Sequence, residues 1–144
     1  MSQPYPPQQP GYPPYPYPVR PPMSPSDERT WAMLAHLAPF AGSLVGLPVV
    51  GPLVVYLMYK DRSAFVRRHA AASLNFQIML LIVTVLGFVV AVPIAIVTLG
   101  IGLVAFIIGA IVVGVAAIVL QIVAAVAASR GQDYQYPLTP TLVS

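Results

Sequence analysis

Polar and apolar positions along this 144-residue chain are sorted into long blocks. Trp31 to Tyr59 contains no acidic or basic residue, and Ala70 to Ser129 contains none either. The charges collect in the short intervals beside these runs. Ala70 to Val92 gives 23 uncharged residues, enough for one membrane-spanning helix. Pro93 marks its expected end, part of 93–101 the connection, and a second long helix runs on to Ser129. Gly131 follows as the residue after a helix C-cap. The first run is different. As a single helix it would be about 43 Å long, against a hydrocarbon core of about 30 Å. Gly42, Ser43, Gly46, Pro48, Gly51 and Pro52 also crowd into eleven positions at its middle. The glycines permit a turn and each proline deletes a helical donor. Two arrangements compete: one long kinked span, or a hairpin of two short helices near 31–45 and 52–59, hinged at Gly46, Pro48, Gly51 and Pro52.

Charge weighs between them. Positive residues flanking membrane helices mark the cytoplasmic side. Lys60, Arg62, Arg67 and Arg68 lie in one interval and Arg130 follows the last helix, so these five determine topology. A single span would put the start of the chain across the membrane from that basic loop. A hairpin puts every formal charge on one face, and is favoured. Its weak point is the second limb: eight residues reach only about 12 Å, so it re-enters the membrane and needs shielding by protein. The fold class expected is all-α, a polytopic four-helix membrane body with a short broken or re-entrant hairpin, two long transmembrane helices and a disordered tail. The domains are 1–25 (tail), 26–140 (helical membrane domain) and 141–144 (C-terminal end).

Composition strengthens the bilayer reading. Of the residues, 58% are hydrophobic and 8% charged, where a soluble domain carries about 25% charge. Mean hydropathy is +0.79. Without cysteine there are no disulfides or thiolate metal sites. The net charge of +3 reads as a topology signal and not as a nucleic-acid footprint. The first thirty residues lack the basic stretch and apolar core of a signal peptide. Eleven of the seventeen prolines fall in residues 1–25, interleaved with Tyr5, Tyr12, Tyr15 and Tyr17. That tail is expected to be disordered with polyproline II character, a spacer or a ligand for a proline-binding groove. Ser26 is the expected N-cap of the first helix, and Trp31 fits the interfacial aromatic belt.

Polar residues inside the apolar body are the candidate site. On a helical wheel, His69, Ser73, Gln77, Thr84, Gly87 and Ala91 share one sector of about 80°, a small and polar packing face interrupted only by Leu80. Gln77 lies nine residues after Arg68, and Gln121 nine before Arg130. Both then sit about 13 Å deep on antiparallel helices and are expected to hydrogen-bond. By similar counting His36 and Asn75 are expected to meet. Ala105/Gly109, Ala110/Gly114 and Ala124/Ala128 are small-xxx-small pairs suited to helix packing. Imidazole titrates near neutrality, so His36 and His69 are candidates for a proton relay, set against a purely structural role. Two histidines without cysteine or a carboxylate pair do not make a metal site, and no phosphate loop or nucleophile elbow is present. No catalytic residue, cofactor or metal is expected, and the chain is read as not an enzyme.

The order of motifs carries a resemblance. It runs from Trp31 through Leu34-Ala35-His36-Leu37 and the Gly/Pro turn to Pro52-Leu53-Val54-Val55-Tyr56 and Lys60-Asp61. Ser63-Ala64-Phe65-Val66, His69 and Leu74-Asn75-Phe76-Gln77 follow, then Gly131 and Tyr134-Gln135-Tyr136-Pro137-Leu138. Over about 26–140 this resembles the small bacterial membrane proteins of domain of unknown function family forty-eight seventy, distantly similar to the chloroplast inner-envelope import channel component. The resemblance implies four helices, both termini cytoplasmic, a place in the bacterial plasma membrane and no catalytic residue. Three functions follow as expectations: a non-enzymatic component of a transport or translocation assembly, a scaffold whose tail recruits a cytosolic partner, or a small ion or proton carrier using His36, His69 and Asn75. The partners expected are the lipid bilayer, a second copy or another membrane protein, and a cytosolic partner of the tail, with no nucleic acid.

Overall fold

The computed structural model describes residues 21–144, so residues 1–20 of the tail expected over 1–25 lie outside the described residues, and Pro25 at its end belongs to the first helix. Four helices follow in order: α1, Pro25–Ser43; α2, Val50–Tyr59; α3, Ala64–Val97; and α4, Ile101–Ser129. Among the described residues there is no strand. The all-α class with four helices is as expected, and α3 and α4 are long and apolar enough to cross a membrane.

Helix α1 is capped by Ser24 and not by Ser26. The Ser24 hydroxyl accepts from the Asp27 amide at 3.1 Å. Pro25 explains the shift, because a residue without an N–H fits the first helical position, where no partner exists. The Gly/Pro cluster makes the hairpin. Gly46 takes a left-handed φ of 77°, and the chain reverses between α1 and α2. The two helices run antiparallel: Trp31 packs on Tyr59 with ring centroids 4.5 Å apart, and Gly51 lies against Ala38. A side chain on Gly51 would overlap the Ala38 carbonyl, so this crossing requires glycine. Pro52 does not open α2 as expected. It lies in the first turn of a helix that begins at Val50, where a missing donor breaks nothing.

Helix α3 is capped by Ser63, whose hydroxyl accepts from the Val66 amide at 3.2 Å and donates to Glu28 at 2.6 Å. That bond sets the starts of α1 and α3 level. The expected end of α3 at Pro93 is corrected: the helix runs through it to Val97. A proline costs its helix one hydrogen bond and a clash, which local adjustment in a long helix absorbs. Leu99 and Gly100, at φ 50° and 93°, make the reversal into α4. Past Arg130, Gly131 has φ 75° and Gln132 donates to the Ala127 carbonyl at 3.0 Å, the expected glycine-terminated helix end.

The result has two halves. At one end α1, α2, the start of α3 and the end of α4 form a packed head. Ala32, Ala35, Val66, Ala70, Ala124 and Ala128 are fully buried there. At the other, 81–116 is a bare two-helix hairpin whose Leu, Ile and Val side chains are mostly exposed. In both long helices only 6% of the most apolar eighteen-residue window is buried.

Candidate functional site

After Gly131 the chain turns back over the head as a non-helical strap, Gln132 to Ser144, fastened at four levels. Arg68 holds Asp133 in a two-pronged ion pair at 3.0 to 3.2 Å. Tyr136 is buried and stacks on Phe76, with centroids 4.1 Å apart and planes 6° from parallel. Asn75 reads the strap backbone: its Oδ1 accepts from the Val143 and Leu142 amides at 2.8 and 3.3 Å, and its Nδ2 donates to the Val143 carbonyl at 2.9 Å. The Tyr56 hydroxyl donates to the Ser144 carbonyl at 2.8 Å. Between strap and α3 lies a cavity of about 300 Å³ bordered by Arg67, Arg68, Asn75, Asp133 and Tyr136.

Beneath the strap sits the polar centre. His36 is fully buried. Its Nδ1 is 2.9 Å from the Tyr136 hydroxyl, and its Nε2 is 2.8 Å from Nδ1 of His69, also buried. His69 Nε2 faces Asp133 at 3.8 Å. The expected pairing of His36 with Asn75 is corrected by the level starts of α1 and α3. His36 lies eight residues past Glu28, about 12 Å along its helix, whereas Asn75 lies twelve past Ser63, about 18 Å. His69 is six past Ser63 and comes level with His36. Burial, with Tyr134 alongside, pushes the Tyr136 phenol well above its ordinary range, so the hydroxyl keeps its proton.

Of the α3 stripe, His69, Ser73, Gln77 and Ala91 are buried, while Thr84 is exposed on the bare hairpin. Gln77 Nε2 donates to Gln121 Oε1 at 3.2 Å, across antiparallel helices. Ala124 and Ala128 are buried in the head, whereas Ala105, Gly109, Ala110 and Gly114 are exposed. Lys60, Arg62, Arg67, Arg68 and Arg130 lie at the head end with Asp27, Glu28 and Arg29. Among the described residues, no group of three or more histidines and carboxylates is placed to hold a metal ion.

Sequence reasoning missed the strap. Tyr136 and Asp133 sit in a polar segment after the last apolar run, and periodicity has nothing to say about such a segment. Its signal was the order Tyr134-Gln135-Tyr136-Pro137, aromatics placed too far from a helix to belong to one.

Comparison with known protein families matches residues 27–143 to a family described as magnetosome magnetite crystal formation proteins. The chain belongs to the MamF/MmsF family. That match overturns the resemblance to domain of unknown function family forty-eight seventy and to a chloroplast import component. It covers the four helices and nearly all of the strap, so the His36–His69–Tyr136 centre lies wholly inside the MamF/MmsF region. No curated protein and no solved structure matches. The MamF/MmsF match and the two exposed apolar helices together point to a membrane protein.

Proposed function

We propose that this chain acts in magnetite crystal formation as a polytopic, non-catalytic membrane protein. The α3–α4 hairpin holds it in the bilayer, and its head presents the strapped polar centre at one membrane face. The observation that carries this reading is the separation of charge from exposed apolar surface. Charged side chains of the described chain gather at the head, and the far half is clothed in leucine, isoleucine and valine. A soluble monomer does not leave a contiguous apolar surface of that kind open to water. In hydrocarbon both helices satisfy their own backbone bonds, as a spanning segment must. By the positive-inside bias the head, with Lys60, Arg62, Arg67, Arg68 and Arg130, faces the cytoplasm, and the α1–α2 hairpin dips in from that side without crossing. Its tip, Leu44, Val45 and Leu47, is apolar and exposed, which suits a lipid contact.

The chain lacks cysteine, so single cysteines report topology cleanly. Asp61→Cys and Ser129→Cys should react with a membrane-impermeant maleimide from one side and Leu99→Cys from the other only. Labelling of all three from the same side would overturn the spanning hairpin. The role itself is read in a magnetite-forming host deleted for the gene. Crystal size should change and be restored by the wild-type gene; crystals of unaltered size and number on deletion would refute it.

A further inference from the structure

Two buried side-chain polar atoms of the described residues have no hydrogen-bond partner: His69 Nε2 and Ser73 Oγ. They are the two open ends of one chain of polar groups. Ser73 lies beside the Tyr136 phenol. Tyr136 meets His36 Nδ1 at 2.9 Å, His36 Nε2 meets His69 Nδ1 at 2.8 Å, and His69 Nε2 points toward Asp133 at 3.8 Å. Each inner contact joins two groups that both donate and accept, so the chain has a direction, and the direction is free to reverse. We propose that Ser73, Tyr136, His36 and His69 form a single proton-binding site whose hydrogen bonds reverse direction when one proton is taken up.

The two states balance as follows. With both rings neutral, Asp133 as a carboxylate accepts only, so His69 carries its proton on Nε2. His69 Nδ1 then accepts from His36 Nε2–H, His36 Nδ1 accepts from Tyr136 O–H, and Ser73 Oγ is left without a partner. With one proton added, His69 carries protons on both nitrogens. Its Nδ1–H donates to His36 Nε2, the His36 proton resides on Nδ1 and donates to the phenol oxygen, and Tyr136 O–H donates to Ser73 Oγ. No bond other than N–H and O–H is made or broken, and the added charge rests on the ring facing Asp133. Ser73 is the acceptor that makes the second state complete, which gives a fully buried hydroxyl without a partner a use.

The charged and titratable groups facing the two rings are Arg68 on α3 and Asp133, Tyr134 and Tyr136 on the strap. At the ends of α1 and α4, Arg29 lies over Gly131 beside Arg130, and α2 brings Tyr59 to the neighbouring cluster around Ala35 and Val66. The Asp133 side chain is 63% exposed, so the site reads the aqueous phase at the head through Asp133. Uptake adds a cation beside the anchoring carboxylate and so tightens the strap.

The test is nitrogen-15 NMR of the histidine rings in the full chain in lipid nanodiscs, from pH 8 to pH 4. We expect the two rings together to take up one proton. His69 becomes the imidazolium, while His36 stays neutral and moves its proton from Nε2 to Nδ1. Ser73→Ala leaves Tyr136 O–H unpaired in the protonated state only, so it should lower the His69 midpoint by about one pH unit. Unchanged amide spectra at pH 8 show that this small substitution keeps the fold. Independent titration of the two rings overturns the proposal. So does a His36 ring whose tautomer never changes, or a His69 midpoint that Ser73→Ala does not move.

Discussion

The head and the bare hairpin are built from almost the same apolar alphabet, and they use it in opposite ways. In the head many inward positions are small or polar, with Ala32, Ala35, Ala70, Ala124 and Ala128 beside His36, His69, Ser73 and Gln121, and a few bulky residues such as Val66 and Phe76 fill the rest. Small side chains let four helices approach closely, and the polar groups other than Ser73 bond to one another or to the strap. In the hairpin the bulky residues point outward, with Val89, Ile108, Ile111 and Val112 each more than half exposed, and the helices meet through Phe88 and Phe106 at 5.0 Å. One half is held together by what it encloses, and the other turns its apolar surface outward. Lipid is as apolar as leucine, so side-chain hydrophobicity cannot drive helix pairing there. Specific contacts must do so, and they are concentrated in the head.

The sharpest way to break that contrast is to remove His36. Its ring bonds Tyr136 on one side and His69 on the other. Leucine in its place strands two buried polar groups, each costing about 1–3 kcal/mol. We expect His36→Leu to destabilise the chain by about 3 kcal/mol and to make the strap accessible to protease. Thr84→Leu, on the exposed face of the hairpin, should leave the unfolding midpoint in mild detergent where it is. Equal losses at the two positions would show that the head is not the stabilising half.

Close approach gives the next contrast. A methyl on Gly51 would overlap the Ala38 carbonyl, whereas one on Gly109 meets nothing within 4 Å. Because the clash is with backbone, α1 and α2 must separate. Gly51→Ala should cost about 2 kcal/mol, in the range of overpacked cores, and Gly109→Ala nothing. A tolerated Gly51→Ala would mean the hairpin packs more loosely than the geometry requires. If Gly109→Ala destabilises, the outer half has a partner that a single chain does not show.

How much of this was legible follows the same division. The outer hairpin was readable from hydropathy alone, because a spanning segment is specified by length and composition. Two features misled: Pro93 looked like a stop, and the helix passes through it; Thr84, Ala105/Gly109 and Ala110/Gly114 looked like packing positions, and they are exposed. The α1–α2 hairpin was legible from its glycines and prolines together with the placing of charge, although Ser26 as cap was wrong because Pro25 claims the first helical position. The polar centre was half visible. His69, Ser73 and Gln77 fall on one stripe by counting, and Gln77 meets Gln121 as the arginine counting pairs them. His36 was paired with Asn75 because the count started from Arg29 and Arg68. The real level is set by the Glu28–Ser63 bond, a tertiary contact that no local pattern announces. The strap was opaque for the same reason, since its order comes from Asn75, Tyr56 and Arg68 and not from its own periodicity.

The glutamine pair is the smallest effect and tests the boundary between the halves. Gln77 and Gln121 join α3 to α4 beside the bare hairpin, and Leu80 and Leu120 near them pack against the cluster that holds Phe76. Hydrogen bonds between helices in lipid average about 0.6 kcal/mol, because the unfolded helices find other partners. Gln121 Nε2 also donates to the Ala117 carbonyl of its own helix at 3.2 Å, so loss of Gln77 strands only its Oε1. A double-mutant cycle of Gln77→Leu and Gln121→Leu should therefore show a coupling of about 0.6 kcal/mol in unfolding experiments. Strict additivity would sink the interhelical bond and end the head one turn nearer Arg68 and Arg130. A coupling well above 1 kcal/mol would instead show that the two helices are locked at this level, leaving the bare hairpin beyond it as the only part positioned by lipid alone.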